Sequence, residues 1–213
     1  MNSNSWIILL LGAALVAVSI RLAISVNSGS KDSAAAMSDS QAALENIMTR
    51  ASVREYTDSV VPDSVVEKIL RAGMAAPTAA NRQPWHFFVI ENQAVKDSIA
   101  SAFKYAKMVS GSAFDVVVCG NTNLMFTGDT PVRGNWVLDC SAATENMLLA
   151  AHALGIGGVW CGIYPEDDRV ADLTRILSLP DTLVPLNVVS FGYPKKTVVP
   201  KDKWDATKVD YIR

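Results

Sequence analysis

Four short runs of strand-type residues, each set apart from the next by sequence of helical period, constrain this fold more than any other feature. The runs are Trp85–Ile90 (WHFFVI), Asp115–Cys119 (DVVVC), Gly158–Ile163 (GVWCGI) and Leu183–Gly192 (LVPLNVVSFG). Aromatic and β-branched side chains fit a pleated, half-buried surface, so short runs of them bounded by Gly, Pro and Asn read as strands. Elsewhere the apolar spacing becomes helical. Residues 38–50, 62–76, 95–108, 136–154 and 165–178 read as helices,. The clearest is 136–154, rich in Ala and Leu, with Gly155 as a left-handed stop,. Ser64 with Glu67 forms a capping-box pattern, and Pro77 ends that helix,. Pro165, followed by Glu166, Asp167 and Asp168, opens another,. Strands alternating with helices, without an internal repeat, make the fold α/β or α+β.

Composition removes several classes of function. Half of the 213 residues are apolar and 19% are charged, which excludes a disordered chain,. A net charge of −2 argues against a nucleic-acid binder,. The three cysteines, Cys119, Cys140 and Cys161, form no CxxC pair, so neither a disulfide framework nor a zinc ribbon is expected,. His86 and His152 have no metal-ligand spacing, and no metal site is expected,. There is no Walker A sequence and no GxSxG elbow,. The glycines of Gly155-Ile-Gly-Gly follow a helix instead of a strand, so they do not make a dinucleotide fingerprint,.

The N-terminus stands apart. Trp6–Val26 is 21 residues interrupted only by Arg21, or about 31 Å of helix, enough to span a bilayer. Residues 27–40 are small and polar and read as a linker,. The expected organisation is a hydrophobic anchor or signal over 1–26, a flexible linker over 27–40, and one folded domain over 41–213. The nearby positive charges, Arg21 and Lys31, lie on the C-terminal side of the apolar run, which favours an uncleaved membrane tether with the domain on the cytoplasmic side,. Export after cleavage near Ala36 is the alternative.

Three clusters carry chemistry. Arg50-Ala-Ser-Val-Arg54 places two guanidiniums around a hydroxyl, a donor set suited to a phosphate,. Ala76–Trp85 (APTAANRQPW) puts Asn81 and Gln83 on an irregular segment, where their amides suit the edge of a polar heterocycle,. The tail from Lys195 to Arg213 has six basic residues against three acidic ones, a local excess suited to a second arm on a phosphate,.

RASVREY, APTAANRQPWHFFVI, LDCSAATENMLLAAHALGIGGVW and LVPLNVVSFGYP, in that order, resemble the FMN-dependent nitroreductase family, from about residue 44 to the C-terminus. The resemblance implies an α+β fold: a central mixed β-sheet flanked by helices, in a domain-swapped homodimer with FMN at its interface. Arg50, Ser52 and Arg54 would hold the FMN phosphate and part of the flavin edge, with Lys201 and Lys203 completing the phosphate site. Pro77, Thr78, Asn81 and Gln83 would reach the flavin, largely from the partner subunit. Trp160, Cys161 and Gly162 would lie along the isoalloxazine, with a main-chain N–H near Gly162 facing N5. No side chain need act as catalytic acid, base or nucleophile, because the flavin carries the electrons. The implied reaction is ping-pong transfer from NAD(P)H through N5 to nitro compounds, quinones or activated alkenes. Dehalogenation, heterocycle oxidation, flavin breakdown and a non-catalytic FMN-binding electron relay are the alternatives. The segment 121–135 is expected to wall the acceptor pocket, with Met125 and Phe126 as candidate contacts.

Overall fold

A computed structural model describes residues 38–126, 128 and 134–213. The expected anchor over 1–26, and the linker up to residue 37, lie outside the described residues. Among those described, no helix is long and apolar enough to cross a membrane. The chain divides into two units between Leu44 and Glu45.

Four strands form one sheet: β1 (Trp85–Ile90), β2 (Phe114–Asn121), β3 (Gly157–Gly162) and β4 (Leu183–Gly192), in the order β1-β2-β4-β3. Among the described residues, five α-helices accompany them: α1 (Asp39–Thr49), α2 (Asp63–Met74), α3 (Gln93–Ala102), α4 (Asn135–Ala153) and α5 (Asp167–Leu177). Every strand pairing is antiparallel, which corrects the expected mixed sheet. The reason lies in the β3–β4 connection. β4 begins at Leu183, four residues before Asn187, the residue paired with the last residue of β3, Gly162, so its start overhangs the end of β3. Helix α5 therefore returns the chain to the end of the sheet it had just left, and β4 runs back. The parallel pairing among the described residues is an isolated bridge, Ser52 with Gly158.

The sheet is covered on both faces, so its centre has no polar side. Along β2, Val116 and Val118 join one apolar cluster, while Val117 and Cys119 join the other. This is the two-residue period of a strand buried on both faces. The first cluster packs α2 and α4 through Ile69, Trp136, Cys140, Ala143 and Met147. The second packs α3 and α5 through Ile99 and Leu173. Alpha4 buries residues 136, 139, 140, 143, 144, 147, 148 and 151, a continuous helical stripe that includes Asp139,.

Local chemistry overrides three expectations. The Ser64–Glu67 capping box does not form: α2 starts at Asp63 without a side-chain cap, and Glu67 instead accepts from Arg71 one turn later. The helix expected over 95–108 stops at Ala102, because the chain turns extended at Phe103 to bury that ring, and a 3₁₀ turn follows at Lys107–Gly111. Alpha5 begins at Asp167, two residues after Pro165. Gly155 does take the left-handed conformation, φ 74°, just beyond α4.

Candidate functional site

The arginine-rich segment is laid against the inner end of β3. Val53 N donates to Gly158 O at 3.1 Å, beside the Ser52–Gly158 bridge. Tyr56 bridges Pro194, and its buried hydroxyl donates to Val53 O at 2.7 Å, with Ser190 O at 3.2 Å. Two glycines make room for this docking. A Cβ on Gly157 would lie 2.7 Å from Val53, and one on Gly192 would lie 2.9 Å from the Tyr56 ring. Backbone pairing and two missing side chains thus hold the segment from which Arg50, Ser52 and Arg54 project.

These three residues diverge. Arg50 Nε pairs with Glu145 on α4 at 3.2 Å, with its side chain mostly buried. Arg54 is exposed and lines a cavity of about 570 Å³ with Tyr105, Met108, Trp160, Cys161 and Gly162. Ser52 and Arg54 also line a smaller one, about 210 Å³, with Lys196. Lys196 Nζ bonds Glu55 at 2.6 Å, and that bond and charge hold the exposed Glu55 carboxyl below its ordinary range. Lys201 and Lys203, expected at the phosphate, are exposed and line neither cavity. Two tail lysines reach the end of the arginine segment at Glu55, Lys196 through its side chain and Lys195 through its main-chain N–H, which donates to Glu55 O at 2.9 Å.

On β3, Trp160 is half-buried and Cys161 is buried. Gly162 is open, since a Cβ there would meet nothing within 4 Å. Arg169 donates to Gly162 O at 3.4 Å. Burial pushes the Cys161 thiol up to about 11, with Asp115 adding to the rise and Arg54 opposing it. All three cysteines are free and buried. A thiol held protonated is no nucleophile at neutral pH. Among the described residues no cluster could hold a metal ion.

The amide-rich segment is built differently. Thr78 Oγ1 donates to Asp139 Oδ2 at 3.0 Å, and Ala79 N donates to Asp139 Oδ1 at 3.0 Å. Gln83 N donates to Thr78 Oγ1 at 3.0 Å, and Gln83 Nε2 to Asn81 Oδ1 at 2.9 Å. Ala80, Asn81 and Gln83 have φ of 48°, 54° and 49°, each costing about 1–3 kcal/mol for a residue other than glycine. Arg82 ties the segment to the following loop by donating to Met125 O at 3.2 and 3.3 Å. Met125 is buried in the core, which corrects its expected place in an acceptor pocket, whereas Phe126 is exposed. Pro77, Asn81 and Gln83 are exposed and Thr78 half-buried, and none of them lines the cavities around Arg54.

A second buried carboxylate lies beneath the arginine segment. Ser112 Oγ donates to Asp115 Oδ2 at 2.6 Å, while Oδ1 has no partner. Burial pushes the Asp115 carboxyl up to about 7, against the opposing effects of Ser112, Ser190 and Lys96. Ser190 faces Asp115 in register across the ladder, yet its Oγ makes no hydrogen bond of good geometry. Lys96, itself buried, donates to Ser112 O at 2.7 Å.

Asp139, Asp115, Tyr56, Gly157 and Gly192 were not singled out by sequence reasoning. Their signals are present nonetheless. Asp139 sits in the core register of α4, and Asp115 heads an otherwise apolar strand.

The nitroreductase family model matches residues 47–117 and 100–193. The chain belongs to the nitroreductase family. A relative from Methanothermobacter thermautotrophicus, provisionally named an NADH dehydrogenase/NAD(P)H nitroreductase, is 39% identical over 78% of this chain and 84% of its own. A solved structure from Bacteroides thetaiotaomicron with the same provisional name superposes with TM-score 0.74. It is 41% identical and covers 80% of this nitroreductase and 96% of the other chain. A family structure from Desulfovibrio desulfuricans, solved in complex with FMN, is 30% identical at TM-score 0.70, covering 80% and 96%.

Proposed function

We propose that this nitroreductase-family chain is an FMN-dependent NAD(P)H oxidoreductase. The observation that carries the reading is the cavity of about 570 Å³ that sets the Arg54 guanidinium against Trp160, Cys161 and the open face of Gly162. It has the size of a ligand pocket, with apolar and charged residues in its walls and the exposed Arg54 guanidinium at one side,. Ser52 and Lys196 line the adjoining smaller cavity with Arg54, and Arg50, now paired with Glu145, lies on the same segment, so the donor set fits the phosphate of FMN. The tail lysines Lys201 and Lys203 would join them across a homodimer. FMN supplies two-electron chemistry when bound, between NAD(P)H and a nitro compound, quinone or activated alkene.

The chain's own residues then bind and orient. Arg54 and Gly162 would hold the flavin, with no Cβ at Gly162 to block its approach, and Trp160 and Cys161 would exclude water from it. Asn81 and Gln83, on a segment outside the Arg54 cavities, serve the flavin of a second subunit. The exposed apolar residues Ile47, Met48, Leu138 and Trp204 support a homodimer. The apolar stretch Trp6–Val26 supports a membrane tether, with the domain on the cytoplasmic face where NAD(P)H is available.

The test is the absorbance spectrum of the purified full chain with FMN, before and after anaerobic NADH and then NADPH. A flavin spectrum that bleaches within seconds is expected. Bound flavin that neither nucleotide bleaches would replace the reductase with a relay. A chain that takes up no FMN would overturn the reading.

A further inference from the structure

The bend at 77–83 needs a cause outside itself. Ala80, Asn81 and Gln83 hold positive φ without being glycine, and such backbone persists only where its surroundings over-determine it. The surroundings here converge on one carboxylate. Asp139 receives the Thr78 hydroxyl on one oxygen and the Ala79 N–H on the other. With its proton committed to Asp139, the Thr78 oxygen is left to accept from Gln83 N. The two ends of the bend are thus closed through one hydroxyl, and that hydroxyl is oriented by one acid.

Asp139 is only 6% exposed, beside Trp136, Cys140 and Ala143 on the buried stripe of α4. An apolar side chain would suit that stripe, and a carboxylate there is costly unless its oxygens are bonded. Its two donors both come from 78–79. The bend it fixes also sets the outward chemistry. With Gln83 Nε2 bonded to Asn81 Oδ1, the Asn81 amide N–H groups and the Gln83 side-chain carbonyl are among the groups left to face a ligand. They place a donor beside an acceptor, the pairing that an imide edge of a heterocycle requires.

We propose that Asp139 is a positioning residue of the cofactor site: it acts through Thr78 and Ala79 to hold Asn81 and Gln83 in the shape that meets the flavin. Thr78 is then the link in this chain, not a ligand of the cofactor. The inference rests on the flavin reading above and adds to it a residue that makes no contact with the flavin.

The test measures three quantities on the full chain: the FMN dissociation constant by flavin fluorescence, the visible spectrum of bound flavin, and the unfolding midpoint of the apoprotein. Asp139→Asn and Thr78→Val should each weaken FMN by about tenfold, the scale of one hydrogen bond to a charged group. Each should also shift the flavin bands. The double variant should lose little more than either single one, since both break the same chain. Thr78→Ser, which keeps the hydroxyl, should recover the affinity that Thr78→Val loses. Thr78 is only half-buried, so its variants carry the test even if Asp139→Asn fails to fold. Wild-type FMN affinity and spectrum in Thr78→Val or Asp139→Asn would overturn the proposal, as would additive losses. So would an affinity loss that merely follows the apoprotein midpoint. If the wild type itself takes up no FMN, the functional reading falls and this inference with it. If the wild type binds and the variants match it, this inference alone fails.

Discussion

Asp139 and Asp115 are both buried carboxylates next to one half of the site, and the chain uses them in opposite ways. Asp139 has a donor on each oxygen and shapes the segment that supplies both donors. Asp115 has a donor on Oδ2 and an orphaned Oδ1. Its carboxyl is pushed up to about 7. Depth alone does not set the behaviour of a buried acid. The number of donors aimed at it decides whether desolvation is offset. The arginine segment above Asp115 is shaped by backbone pairing to Gly158 and by the slots at Gly157 and Gly192, so the acid below contributes little to its form.

The sharpest break of this comparison is Asp115→Asn. Between about pH 4 and pH 7 the folded chain holds a proton at Asp115 that the unfolded chain has released. Stability therefore falls as pH rises through that window and stays low above it. A rise from 3.8 to about 7 corresponds to a penalty on the order of 4 kcal/mol at pH 8, as an upper bound,. Asp115→Asn should raise the unfolding midpoint at pH 8 and flatten its dependence between pH 5 and pH 8. FMN affinity should not change. Thermal unfolding at the two pH values measures this. A midpoint at pH 8 lower than wild type would show that the charge is needed, and that the two acids are alike.

The next effect is expected at the slots. Gly157→Ala puts a methyl 2.7 Å from Val53, a β-branched side chain with no slack to yield,. Overpacking of this kind costs about 1–3 kcal/mol. Its relief moves the arginine segment off β3, so FMN affinity should fall together with the unfolding midpoint. That joint loss contrasts with Asp139→Asn, where affinity should fall by more than any drop in the apoprotein midpoint accounts for.

The sequence was most legible where burial and period agree. The runs WHFFVI and LVPLNVVSFG are strands over the residues expected, and β3 is displaced by one. The arginine segment reads as one donor cluster in sequence, but in the fold its side chains diverge, Arg50 to Glu145 and Arg54 to the cavity. The mixed sheet was not legible, since pairing direction depends on where α5 returns the chain. Asp139 and Tyr56 were not legible for a related reason. Their partners, Thr78 and Ser190, lie 61 and 134 residues away, and no local pattern announces such bonds. Met125 was misplaced because a loop methionine packs inward as readily as it faces a pocket.

Tyr56→Phe tests the arginine half without steric cost. The ring still fills the space over Gly192, while the hydroxyl bond to Val53 O is lost and leaves a buried carbonyl short of a partner. The expected loss is about 1 kcal/mol of stability. FMN affinity should fall only slightly, because backbone pairing at Gly158 still docks the segment. A large affinity loss would mean that this half, too, is held by a single side-chain bond.

Gly162→Ala has the smallest expected effect on the fold and divides fold from function most cleanly. Its Cβ would meet nothing within 4 Å, so the apoprotein midpoint should stay within about 0.5 kcal/mol of wild type. Space that is empty in the chain alone is where the proposed flavin ring lies, and a methyl there competes with the ring. Fluorescence titration should therefore show weaker FMN binding in a protein of unchanged stability. Unchanged FMN binding would move the ring away from Gly162 and toward the Tyr105 side of the cavity. The Asp139 chain would still be testable there, because it stands on the other segment and shares no bond with β3.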